Sequence, residues 1–161
     1  MDQSDPARCR LMAVDLDDGT IGRGTPDQEH ERRIAIFDLV ENNRFVLPGH
    51  DGGPYRLGIA LKGTKLALDI RTEDDAPVVL HMLSLAPFRS LLKDYFFLCE
   101  RYYSAIRTAT PSQIEAIDMG RRGLHNEAAE LLAQRLHGKI VADFETMRRL
   151  FTLVTALHWK G

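Results

Sequence analysis

Arg121, Arg122, His125, Asn126 and Glu127 fall within one seven-residue stretch, with Gly120 just before it and Gly123 inside it. Each arginine carries a permanent charge on a planar fork of N–H donors that matches a carboxylate or phosphate. A histidine, an amide and a carboxylate beside them could supply a base, a donor or an acid to whatever the arginines hold. The two glycines predict that one helix ends near Met119–Gly120 and that another starts after Gly123. The first amides of such a helix lack internal partners and carry partial positive charge, which would add to an anion site. Tyr103 and Arg107, with Tyr102, close the preceding long helix and would line the same concavity. Arg148 and Arg149, on the polar side of the last helix with Thr152 and Thr155, could complete a basic groove. The competing reading is an internal network in which Arg121 and Arg122 pair with Glu115, Asp118 or Glu127 and fix the angle between helices.

Nothing around these residues completes a catalytic, cofactor or metal signature. The six histidines, at 30, 50, 81, 125, 137 and 158, never take the helical i, i+4 spacing of a zinc pair, and none has a cysteine beside it. Cys9 and Cys99 are too far apart in sequence for a metal pair or a disulfide framework. Cys99 reads as a small buried hydrophobe. Asp15-Leu16-Asp17-Asp18-Gly19-Thr20 resembles the strand-end aspartates of haloacid-dehalogenase-type phosphotransferases, but an extra aspartate displaces the glycine and threonine by one position. The alternating parallel units that such enzymes need do not follow, so an acidic turn is the better account. No catalytic residue, cofactor or metal is therefore assigned. The chemistry fits a non-catalytic binding or regulatory module acting on a protein partner or a small anionic ligand. The alternative is an enzyme on a phosphorylated or carboxylated metabolite, with Arg121 and Arg122 as anion clamp and His125 or Glu127 as acid/base.

The elements that must position these groups can be read from pattern. Leu11 to Leu16 reads as a short strand. Thr25-Pro26-Asp27-Gln28 and Thr110-Pro111-Ser112-Gln113 are matching helix starts, each with a hydroxyl cap, proline at the first position and glutamine placed to answer the cap. The first helix should stop near Asn42-Asn43. Tyr55, Leu57, Ile59 and Leu61 alternate, as do Leu66, Leu68 and Ile70 beyond Gly63-Thr64, which predicts a hairpin. Val78 to Leu85 is apolar on both faces apart from His81 and reads as a more central strand. Pro87 opens a long helix to Ile106, whose apolar middle, Tyr95 to Cys99, reads as the core helix. Leu124, Ala128, Leu131, Leu132 and Leu136 form a stripe closed by Gly138, and Asp143 can cap the last helix. The expected architecture is one α+β domain over residues 10–161, with residues 1–9 a flexible tail. It has an antiparallel sheet of about four strands, an N-terminal helix and a C-terminal layer of about four helices.

Composition sets the outer limits. The chain has 161 residues, 44% of them hydrophobic and 27% charged, which is the balance of an ordinary globular domain. No apolar run reaches the roughly 18 residues a membrane-spanning helix needs. The N-terminus lacks a signal-peptide pattern, so the cytoplasm is the expected location. Residues 1–100 carry 12 Lys/Arg against 17 Asp/Glu, and residues 101–161 carry 9 against 6. That polarity falls short of a nucleic-acid footprint. A helix followed by three strands and a helix resembles a double-stranded-RNA-binding topology, but Pro87, Phe88 and Arg89 stand where its basic cluster would be.

Three stretches, Tyr103 to Glu127 (YSAIRTATPSQIEAIDMGRRGLHNE), HERRIAIFDLVENNRF and RRLFTLVTALHWKG, resemble a bacterial family, mainly alphaproteobacterial, known as uncharacterised protein family two-six-two. The resemblance runs from Arg10 to Gly161. It implies a bacterial cytosolic protein of one domain and brings no activity to transfer.

Overall fold

A computed structural model describes residues 5–17 and 25–158 of the chain. Asp18-Gly19-Thr20 of the acidic turn, and Trp159 to Gly161 of the closing motif, lie outside the described residues. Among those described, the elements run β1 (Leu11–Leu16), α1 (Pro26–Glu41), β2 (Phe45–Val46), β3 (Tyr55–Lys62), β4 (Lys65–Thr72), β5 (Pro77–Ser84), a 3-10 turn at Ala86–Phe88, α2 (Arg89–Thr108), α3 (Pro111–Arg135), β6 (Val141–Ala142) and α4 (Phe144–Ala156). This is a single α+β domain.

The main sheet has the order β1-β3-β4-β5, and β2 pairs with β6 in a separate two-stranded ribbon. β3 and β4 form the expected hairpin, in which Lys62 faces Lys65 across Gly63-Thr64 and Gly63 takes a positive φ of 65°. The sheet is mixed rather than wholly antiparallel, because β1 runs parallel to β3. The chain leaves β1 and returns through α1, the kind of crossover that a parallel neighbour requires. Asn43 fixes that return: its side chain accepts from Leu11 N–H at 2.7 Å and donates to the carbonyls of Leu11 at 3.0 Å and Leu39 at 2.7 Å. Ahead of β1, Cys9 is buried and its carbonyl accepts from Phe45 N–H at 2.9 Å.

One face of the sheet is apolar and lies on α3 and α4. Leu57, Ile59, Leu66 and Leu68 surround a void of about 10 Å³ together with Leu132 of α3, Leu136 at its C-cap, and Leu150 and Val154 of α4. Three expectations change here. β5 is an edge strand, not a central one, and Leu80 on the outer face is 57% exposed. A strand that is apolar on both faces can serve at an edge when only its inner residues, here Leu83 above all, meet the helices. α2 is not the core helix, since only Leu92 and Ala105 are buried on it and Phe97 is exposed. α4 takes that place, with Met147, Leu150, Phe151, Leu153 and Val154 all buried.

The third change concerns the site directly. α3 is one helix of 25 residues, so no junction exists at Gly120 to Gly123 and the C-terminal layer holds three helices rather than four. Each glycine costs a helix interior about 1 kcal/mol relative to alanine, which a long packed helix absorbs. Both capping boxes form as expected, Thr25 with Gln28 and Thr110 with Gln113. Asp143 is the N-cap of α4, but its carboxylate accepts from the Thr146 hydroxyl instead of a backbone amide. That same hydroxyl oxygen accepts from Arg44 N–H at 3.1 Å and so ties β2 to α4.

Candidate functional site

Four helices surround a cleft of about 770 Å³. Their side-chain spacing explains which groups reach it. On α3, Arg121 and His125 stand four residues apart and therefore share a face, with Arg122 beside them. On α4, Arg148, Thr152 and Thr155 form a stripe at steps of four and three, while Leu150 and Val154 point to the sheet. On α2, Tyr95, Cys99 and Tyr103 repeat every four residues along the cleft. Gln28, Glu31 and Asp38 contribute the α1 wall.

The cleft thus collects Tyr103, Arg121, Arg122 and His125 of the expected set, together with Arg148 and Arg149 of the last helix. Arg107, Asn126 and Glu127 are exposed and do not line it. Because α3 is unbroken, its amides at residues 121–124 are inside the helical ladder and offer nothing to an anion. On α3 an anion would meet side chains alone.

The arginines are partly engaged already. Asp118 sits between two of them, 2.6 Å from Arg121 Nη2 and 3.2 Å from Arg122 Nε. Arg121 also stacks on Tyr102, its guanidinium carbon 4.0 Å from the ring centroid. Burial works against its charge, but Asp118, Cys99 and Tyr95 together outweigh burial and hold its pKa above the ordinary value. Arg148 Nη1 meets Glu145 at 3.4 Å, and Arg149 donates to the Asn42 carbonyl at 2.7 Å. A guanidinium has five N–H donors, so these anchors orient the groups without exhausting them. Arg122, whose side chain is 59% exposed, is the freest to meet a ligand.

His125 forms part of the floor and is 8% exposed. Its ring lies against Tyr95 and Phe151, with centroids 5.7 and 5.5 Å away. The Thr152 hydroxyl donates its proton to the Arg148 carbonyl at 3.2 Å, so its oxygen must accept from His125 Nε2–H at 2.9 Å. That fixes the tautomer and leaves Nδ1 as a buried lone pair with no hydrogen-bond partner among the described residues. Burial first, and then the Arg148 charge, depress the pKa to about 4. The ring is neutral at neutral pH and adds no charge to the floor.

Across the cleft, the Tyr103 hydroxyl donates to Glu31 Oε1 at 2.8 Å and clasps α2 to α1. Burial, and then that bond, push the Tyr103 pKa up. Burial likewise raises the Cys99 thiol, so it is not an activated nucleophile. Among the described residues no group of three or more His, Cys, Asp or Glu is placed to hold a metal ion. His81, on β5, lies outside this cleft. Glu31, Tyr95 and Cys99 were not expected in a site. The Tyr95-Cys99-Tyr103 spacing was a usable signal, but it reads equally well as a core stripe.

The model of a family described as Uncharacterised protein family (UPF0262) matches residues 8–160. The chain belongs to this family. It is 61% identical to a UPF0262 protein of Nitrobacter winogradskyi, over 98% of this chain and 94% of that one. It is 63% identical to a UPF0262 protein of Agrobacterium fabrum, over 94% and 96%, and 59% identical to one of Bradyrhizobium diazoefficiens, over 99% and 97%. No solved structure matches at a significant level. Among the described residues no helix is long and apolar enough to cross a membrane.

Proposed function

We propose that this UPF0262 protein is a non-catalytic binding module of the bacterial cytoplasm, and that its interhelical cleft takes a small anionic ligand. The observation that carries this reading is the convergence of Arg121, Arg122, Arg148 and Arg149, from two helices, on one cleft. Its volume of about 770 Å³ lies within the range of small-molecule sites. Because α3 has no helix start here, affinity on that side rests on side-chain guanidiniums, and Asp118 competes with the ligand for two of them. The enzyme reading is weaker: Glu127 does not line the cleft, and a buried histidine with a pKa of about 4 is a poor base near neutrality.

The test is a thermal-shift titration with inorganic phosphate, sulfate and small carboxylates on the wild type, Arg122→Ala and Asp118→Asn. A ligand at 100 times its Kd should stabilise by roughly 2.7 kcal/mol, a rise of several degrees in a domain of this size. Arg122→Ala should lose the response. Asp118→Asn removes the competing charge and should strengthen it, at a stability cost of about 1 kcal/mol or less for these part-exposed ion pairs. Stabilisation that is absent throughout, or indifferent to both substitutions, would refute the reading.

A further inference from the structure

The cleft is electrically two-sided. Among the described residues, every arginine lining it belongs to α3 or α4, whereas the carboxylates lining it, Glu31, Asp38 and Glu100, belong to α1 and α2. These acids are exposed. A plain anion seated on the arginines would be repelled by these carboxylates. A molecule with an anion at one end and a cationic nitrogen at the other would be attracted by both. Neutral His125 leaves this division undisturbed, since it adds no charge on the arginine side.

We infer that the ligand is a small zwitterion, a carboxylate or phosphate carrying a separate ammonium group. Its anionic end lies on Arg122 and its neighbours, and its ammonium faces Glu31 and Asp38. The inference rests on the anion reading above and narrows it. Tyr103 occupies one oxygen of Glu31 and holds that carboxylate in place, leaving the other for a cationic partner.

The test uses ω-amino acids of graded length, 4-aminobutanoate, 6-aminohexanoate and 8-aminooctanoate, each titrated beside the unsubstituted alkanoate of the same length. Isothermal titration of the full chain at low salt reads the affinities. One amino acid should bind at least tenfold more tightly than its alkanoate, and the best length measures the spacing between the walls. In a Glu31→Gln/Asp38→Asn variant the order should reverse. Both positions are exposed, and glutamine keeps an oxygen for the Tyr103 hydroxyl, so the fold should persist. Alkanoates that bind through Arg122 as tightly as the amino acids, in both proteins, would overturn the zwitterion inference and leave the anion reading standing. If neither series binds and the phosphate, sulfate and carboxylate titrations are also silent, both readings fall.

Discussion

His125 shows what a single side chain can decide. Its pKa falls from an ordinary 6.5 to about 4 because burial, and then Arg148, oppose the charged ring; Arg121 opposes it further and Glu145 favours it. The unfolded chain therefore takes up the proton first as pH falls. The contribution to stability is complete above about pH 6.5 and is lost progressively towards pH 4. Urea unfolding at pH 7.5 and pH 5 should show a loss of roughly 2 kcal/mol, before most carboxylates titrate. His125→Phe keeps a ring between Tyr95 and Phe151 and should flatten that slope; an equal loss in both proteins would show that another group carries it. The residue types here were legible, since arginines, a histidine and an asparagine in one short stretch announce polar chemistry. Their roles were not. Whether Nδ1 or Nε2 carries the proton depends on Thr152, and whether the ring charges depends on Tyr95 and Phe151, all distant in sequence.

At the scale of elements, local signals with a complete stereochemical logic were read correctly. Both Thr-Pro-x-Gln starts form reciprocal caps, and the expected hairpin turns at Gly63-Thr64. Signals that only weaken an element were misread. Gly120 and Gly123 permit a break but do not impose one, and α3 runs through them because α2 and α4 pack along it. The same limit applies to β5 and α2, whose apolar composition gave no account of which neighbours would cover them. A methyl group added at Gly123 meets nothing within 4 Å, and at Gly120 it makes an ordinary contact with Leu98 at 3.5 Å. Gly123→Ala should therefore stabilise the protein by about 0.5–1 kcal/mol, raising the thermal midpoint by a few degrees. A helix that broke at this point would lose stability instead, so the sign of the change in a denaturant titration tests the continuity of α3.

Across the whole molecule, the sheet, α3 and α4 form a packed body, while α1 lies against it as one wall of the cleft. The C-terminal end of α1 is anchored, with Leu39 buried and Asn43 bonded to β1, although Ile34 and Phe37 are exposed. The Tyr103–Glu31 bond ties the N-terminal half to α2 across the cleft. A neutral or singly charged hydrogen bond of this kind contributes about 1 kcal/mol, roughly a fivefold change in local opening. Tyr103→Phe removes it and retains the ring. Amide exchange across residues 29–35 should then quicken by about fivefold, while global stability changes by less than about 0.5 kcal/mol because few core contacts depend on that half-helix. Unchanged exchange would mean that packing against α4 alone fixes this wall. Acceleration confined to α1 would instead identify the clasp as the element that sets how far the carboxylates stand from the arginines.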